Sequence, residues 1–371
     1  MATGESARQD AMPISPGNLV PALLAHAARR GFRRALAAEE DAAAWRDRTL
    51  PHVRELILPD LPSVDAAPIV LTEADRGDHV VRLLRLTLAE GLTAPALLAL
   101  PKGEGPFPAV LALHDHGSEF RIGKEKCLPP PGPVPPVAQA WWDRFFGGAP
   151  FGTALLRRGF AVLSVDALSW GGRQGQGYQA QQALAANLMN IGLTPAGLMA
   201  WEDMRAAEYL ASIPQVDPAR IAAVGFSMGA FRAWQVAALS PHVGAMVAAC
   251  WMASLAGLLV EGNNHIRGQS AWWMTHPLLF RDLDIPDLAA LAAPKPACFQ
   301  TGTEDTLFPA AAVDPAFDRL AQVWAAHGAG HRLQARRFAG GHHFRPDRQE
   351  AAFGWLQETL SQGLPARSGS G

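Results

Sequence analysis

The pentapeptide Gly225-Phe226-Ser227-Met228-Gly229 has the G-x-S-x-G spacing of a nucleophile turn. The apolar run Ile221–Val224 before it reads as a buried strand, and the Ala-rich stretch Ala230–Leu239 after it reads as a helix. The serine is therefore expected at a strand–turn–helix junction. Glycines on either side suit a turn so tight that side chains there would collide with strand and helix. A serine hydroxyl is a weak nucleophile and needs a base to take its proton, with an acid to orient that base. On such a turn the partners follow in the chain order serine, acid, histidine. Downstream, Asp305 stands in Thr301-Gly-Thr-Glu-Asp-Thr-Leu-Phe-Pro309, after the expected strand Pro296–Gln300, with Glu304 as its rival. The pair His342 and His343 follows Arg336–Phe338 in Ala339-Gly-Gly-His-His-Phe344, and either could be the base.

Acyl transfer also needs donors for the oxyanion of the tetrahedral intermediate. The amide of Met228 is one, because it begins a helix and has no intrahelical acceptor. The second is expected from His114-Asp-His-Gly-Ser-Glu119, at Gly117 or Ser118. His116 reads as a brace for that loop, at the edge of the substrate pocket. Asp166 reads as a tie for the loop Trp170–Arg173, and Glu202 and Asp203 as surface salt links. His114, Asp115, His116, His265, His342 and His343 lack the spacing of a zinc helix motif, so neither a metal nor any other cofactor is expected.

The elements that must position these groups begin with a helical arm, which Asn18 could cap and which runs towards Trp45. Its Arg29, Arg30, Arg33 and Arg34, offset by Glu39, Glu40 and Asp41, read as a solvated face. From Asp78 the pattern turns to short apolar runs. His79–Ala89 and Ala94–Leu100 suggest an antiparallel opening. Ala109–Leu113, Ala161–Val165, Ile221–Val224, Met246–Cys250 and Pro296–Gln300 alternate with helical stretches. This is the signature of an α/β fold with a mostly parallel sheet and helices on both faces. Two insertions interrupt it, at about 118–150 and 251–287. The prolines of the first exclude a regular element there, and Trp141, Trp142, Trp272 and Trp273 are expected to line the substrate pocket. The reading is thus an arm over residues 1–77, a catalytic domain over 78–364 and a flexible tail over 365–371.

Bulk properties narrow the partners. With 32 Lys and Arg against 34 Asp and Glu, the net charge of −2 gives no electrostatic reason to expect nucleic acid or a membrane surface. No run of about eighteen apolar residues occurs, so a spanning helix is not expected. The cysteines Cys127, Cys250 and Cys298 form no C-x-x-C pair and no disulfide framework, and the start lacks an apolar signal run. Reduced thiols in the cytoplasm are the corresponding expectation. Oligomeric state has no signal in the sequence.

Residues 78–360 resemble the dienelactone-hydrolase-like branch of the α/β-hydrolases, which includes acetyl-xylan-esterase-like proteins. The resemblance rests on Pro106-Phe-Pro-Ala-Val-Leu-Ala-Leu-His-Asp-His-Gly117, Val216-Asp-Pro-Ala-Arg-Ile221, the turn around Ser227, Leu288-Ala-Ala-Leu-Ala-Ala-Pro-Lys-Pro296, Gly302-Thr-Glu-Asp305 and Gly341-His-His-Phe344. It implies the α/β-hydrolase fold, and its common G-H-x-F pattern implies His342 as the base. True dienelactone hydrolases carry a cysteine nucleophile; the serine here favours a carboxylic ester. The resulting expectation is a serine esterase acting on a small-molecule ester through an acyl-enzyme. An acyltransferase or amidase using the same triad, or a non-catalytic binding protein on this fold, are the alternatives.

Overall fold

The computed structural model describes residues 16–175, 177–267 and 270–362. The tail expected at 365–371 and the first fifteen residues lie outside them. The strands are β1 (Ile69–Asp75), β2 (His79–Ala89), β3 (Leu92–Pro101), β4 (Phe107–Leu113), β5 (Ala161–Val165), β6 (Val216–Phe226), β7 (Ala245–Ala249), β8 (Ala297–Gly302) and β9 (Leu333–Phe338). They form one nine-stranded sheet in the order β1-β2-β3-β5-β4-β6-β7-β8-β9. The pairings β1/β2, β2/β3 and β3/β5 are antiparallel, and those from β5/β4 through β8/β9 are parallel. The chain leaves β4 for β5 on one side, then returns to β6 on the other. Strand order reverses there, which opens a crevice at the carboxyl ends of β4 and β6.

Helices cover both faces: α1 (Pro16–Arg30), α2 (Ala42–Ile57), α3 (Pro136–Phe145), α4 (Phe151–Leu156), α5 (Gly177–Asn190), α6 (Pro195–Ser212), α7 (Met228–Leu239), α8 (Leu255–Leu258), α9 (Asn264–Arg267), α10 (Ile285–Ala290), α11 (Ala310–Ala326) and α12 (Pro346–Ser361). The period-two alternation of the strands divides the core. Leu111, Leu163, Ala223, Met246 and Phe299 face Trp45, Leu210, Trp234, Leu288 and Leu320 of α2, α6, α7, α10 and α11. Their neighbours Val110, Val162, Val224, Val247 and Cys298 face Trp142, Leu155 and Phe353 of α3, α4 and α12. Because β4, β5, β7 and the carboxyl half of β6 are buried on both sides, they read as nearly unbroken apolar runs. Each large side chain buried in this way contributes about 1.5–3 kcal/mol. Among the described residues, no single helix is long and apolar enough to cross a membrane.

Several details depart from the sequence reading. The arm is two helices, with α1 starting at Pro16 ahead of Asn18, and with Asp41 capping α2 through the Ala44 amide. Residues 69–75, assigned above to the arm, are the first strand of the sheet. The insertion 118–150 is not irregular throughout: α3 forms because Pro136 lies in its first turn, where a missing N–H costs nothing. Glu202 and Asp203 are buried rather than on the surface. Glu202 pairs with Arg173 and Asp203 with Arg232, each through both carboxylate oxygens. Arg33 of the basic stretch pairs with Asp282 and Glu40 with Arg48, while Arg29 and Arg30 are exposed.

The Arg232–Asp203 pair joins α7 to α6 with both side chains nearly inaccessible, at 2% and 3% exposure. Arg232→Met is expected to destabilise the fold by about 3–5 kcal/mol, since it leaves a buried carboxylate unpaired. Adding Asp203→Leu should recover most of that loss. Urea midpoints of the single and double variants check this.

Candidate active site

Ser227 stands between β6 and α7 with φ 54° and ψ −125°, a left-handed conformation that a residue with a side chain rarely adopts. Holding it costs on the order of 1–3 kcal/mol. Contacts on both sides impose it. A Cβ on Gly225 would lie 2.0 Å from the Gly229 carbonyl oxygen, and one on Gly229 would lie 1.9 Å from that of Leu113. The turn is therefore pressed between its own helix and the end of β4, and only glycine fits at either flank. The Ser227 amide donates to the Ala249 carbonyl at 2.8 Å, which fixes the turn to the end of β7.

Three strand ends then meet. Asp305 follows β8 and is buried; its Oδ1 accepts from the amides of Leu307 (3.0 Å) and Phe308 (3.4 Å). Its Oδ2 accepts from His342 Nδ1 at 2.7 Å, and His342 Nε2 lies 2.9 Å from Ser227 Oγ. With the Nδ1 proton donated to a carboxylate, Nε2 is left as the acceptor facing the hydroxyl. The rings of Phe226 (4.9 Å between centroids) and Phe308 (5.9 Å, stacked) enclose the imidazole. Of the rivals, Glu304 is exposed. His343 sits against Gly340 without a partner for Nδ1, and its carbonyl accepts from Arg348 at 2.8 Å. The Arg348 guanidinium also holds the carbonyls of Ala339 and Gly341, so one buried cation shapes the turn that carries His342.

The loop after β4 lies beside this line, because Leu113 pairs with Gly225 in the sheet. His116 is buried: its Nδ1 accepts from the Ser118 amide (3.2 Å) and its Nε2 faces Gln181 Oε1 (3.2 Å). Burial pushes its pKa down to about 3, so it is a neutral brace. It stacks on Tyr178 and meets Trp170 edge-on, so it faces packed rings rather than an open pocket. Since the Ser118 amide is engaged, Gly117 is the better placed of the two amides proposed above. Met228 opens α7, and the Ser227 side chain does not cap that helix.

The four tryptophans separate. Trp141 donates to Asp115 Oδ1 (3.1 Å) and packs on Phe145, which leads through Phe226 to His342. Trp142, the next residue on α3, points into the core with its Nε1 on the Glu125 carbonyl, because successive helical residues face different sides. Trp273 is also core, against Trp170 at 5.1 Å, and Trp272 is 37% exposed. The pocket assignment therefore does not hold for Trp142 or Trp273. Asp166 ties its surroundings as expected, accepting from the amides of Lys124 and Gly172 and from Lys124 Nζ. Sequence reading missed Phe226, Phe308, Arg348 and the buried Lys126, whose Nζ donates to the Asp115 and His116 carbonyls at 2.9 Å. The charged triplet Lys124-Glu125-Lys126 inside a proline-rich stretch is the signal that could have found the lysine.

Among the described residues, the group with ligand atoms close enough for a metal is Cys250, Asp305 and His342, within 4.8 Å of one another. Two of these are already bonded to each other, and the other histidines considered above do not join them. Cys127, Cys250 and Cys298 are unpaired and buried.

A mostly parallel sheet with a serine, a histidine and a carboxylate hydrogen-bonded in series across the ends of β6, β9 and β8 defines an α/β-hydrolase. Within that class, the chain belongs to the dienelactone hydrolase family, whose model matches residues 147–354, more than half of its length. The chain is an enzyme of the carboxylic ester hydrolase type. It is 29% identical over 308 residues to YtaP of Bacillus subtilis (strain 168), a protein assigned as a hydrolase, covering 82% of this chain and 96% of that one. Its fold is similar to that of a Bacteroides fragilis NCTC 9343 protein assigned as an acetyl xylan esterase (TM-score 0.68, 18% identity, 90% of this chain and 84% of that one). It is also similar to a glucuronoyl esterase from Solibacter usitatus (TM-score 0.63, 15% identity, 88% and 97%).

The contact at Gly229 gives a direct test of the turn's packing. A methyl group there must displace the Leu113 carbonyl, so Gly229→Ala is expected to lower stability by about 1–3 kcal/mol or more. Thermal melts of the variant and the native protein measure the difference.

Proposed function

We propose that the protein is a serine esterase that hydrolyses a small carboxylic ester through an acyl-enzyme at Ser227. The observation that carries this reading is the continuous line Asp305 Oδ2, His342 Nδ1, His342 Nε2, Ser227 Oγ, with contacts of 2.7 and 2.9 Å. His342 takes the hydroxyl proton as Ser227 attacks the ester carbonyl, and Asp305 stabilises the imidazolium that forms. The oxyanion is received by the amides of Met228 and Gly117, the first of them at the positive end of α7. His342 then returns its proton to the leaving alcohol, and a water molecule repeats the sequence to release the acid. The phenyl rings of Phe226 and Phe308 shield this exchange from bulk water, which strengthens the charge interactions within it. Acetyl xylan and glucuronoyl esters, named for the structural relatives, supply the substrate class to try first. The buried, unpaired thiols fit a reducing compartment such as the cytoplasm.

His342→Ala is expected to lower kcat by about a thousandfold or more, the scale on which such triads respond to loss of a member. His343→Ala, which removes a ring outside the line, should cost less than tenfold. Steady-state kinetics on an activated ester separates the two, and the reverse ranking would move the base to His343. Burial pushes all three thiols up to about 12, so they stay protonated at about pH 8. Iodoacetamide is accordingly expected to leave ester turnover intact. Inactivation that tracks alkylation of Cys250 would argue for a thiol mechanism.

A further inference from the structure

Lys126 carries a charge at a place where burial is costly. Its side chain is fully inaccessible, and it lies in a single 3-10 turn, Lys124–Lys126, of the insertion that follows β4. Its Nζ donates to the carbonyls of Asp115 and His116, both at 2.9 Å, and approaches Asp115 Oδ2 at 3.4 Å. These contacts occupy all three ammonium protons. The ring of Trp141 lies 4.7 Å away, and Trp141 Nε1 donates to Asp115 Oδ1, so the carboxylate is gripped at both oxygens. Two further donors reach the same carbonyls: His114 Nδ1 to Asp115 O at 3.0 Å, and Trp170 Nε1 to His116 O at 3.1 Å. His114 can donate there because its Nε2 accepts from the Ala167 amide.

A peptide unit is planar, with C=O and N–H on opposite sides. The Asp115 carbonyl shares its plane with the His116 amide, and the His116 carbonyl shares its plane with the Gly117 amide. Drawing both carbonyls onto Lys126 therefore turns both amides the other way. The Gly117 amide is the second oxyanion donor in the function proposed above, and its loop leaves β4 where Leu113 presses on Gly229. We propose that Lys126 is a positioning residue for the oxyanion site, aiming the Gly117 N–H by clamping the two carbonyls behind it. This rests on the serine-esterase reading. The neighbouring Lys124 is built into a different tie, to Asp166 and Glu125 at the end of β5, which makes it a matched control.

The test uses Lys126→Met, which keeps the length of the side chain and removes its donors. Two readouts are needed: steady-state kinetics on an activated ester, and the Ki of an alkyl boronic acid, whose serine adduct places an oxygen in the oxyanion site. Kcat is expected to fall about 10- to 100-fold with KM changed less than threefold, below the full effect of deleting an oxyanion donor. The boronate Ki should rise by a factor tracking the loss in kcat/KM, because a transition-state analogue reads the same interaction. Trp141→Phe keeps an aromatic ring but removes the N–H that holds Asp115 Oδ1, and should show the same pattern at smaller amplitude; it serves if Lys126→Met does not fold. Lys124→Met should leave kcat/KM and the boronate Ki each within about twofold of native. A folded Lys126→Met or Trp141→Phe enzyme with an unchanged boronate Ki overturns the assignment while leaving the esterase reading intact. A native enzyme that neither turns over esters nor binds the boronate overturns the esterase reading and this assignment with it.

Discussion

The whole site depends on one steric constraint, the closure of the turn at Ser227 against the end of β4. Gly225 and Gly229 bring backbone to backbone at distances that no side chain survives, and the serine between them is held at positive φ. The conformational cost is met by the surrounding sheet. β6 is paired in parallel on both sides, its residues from Ile221 to Phe226 are buried on both faces, and α7 is buried along its full length. A loosely packed sheet would let the turn relax, and the hydroxyl would no longer face the histidine.

The partners arrive on loops, which are less constrained than strands, and the fold stiffens those loops with buried cations. Arg348 gathers three carbonyls of the turn that carries His342, while Lys126 gathers two in the loop after β4. Lys124 performs the same service against Asp166, and Arg232, paired with Asp203 between α7 and α6, also reaches the His114 carbonyl in the loop after β4. In an interior of low dielectric such charge-assisted bonds are strong and directional, and costly if one partner is lost. Each cation thus converts a flexible loop into a defined surface, which is what a site needs when its reacting atoms must sit within hydrogen-bond reach.

Much of this was legible in the sequence for a physical reason. The central parallel strands carry short apolar runs, such as Val110–Leu113, Ile221–Val224 and Ala245–Ala249, and the G-x-S-x-G spacing is dictated by the turn itself, so both leave local marks. Chain order, once the turn is recognised, narrows the acid to Asp305 or Glu304 and the base to His342 or His343, and only the resemblance implies His342. What was hidden depends on packing between distant segments. Trp141 and Trp142 look equivalent in sequence, yet of these two buried rings one donates to the Asp115 carboxylate after β4 and the other to the Glu125 carbonyl. Glu202 and Asp203 read as solvated until Arg173 and Arg232 are brought to them from elsewhere in the chain. β1 was missed because its Ile69, Val70 and Leu71 are exposed at the sheet edge and show no alternation of burial.

Covalent labelling of the native protein with a fluorophosphonate, followed by peptide mass spectrometry, tests the central claim most directly. One adduct per chain is expected, on Ser227, and none on the Ser227→Ala variant folded to the same extent. An adduct on another residue, or equal labelling of the variant, would contradict it.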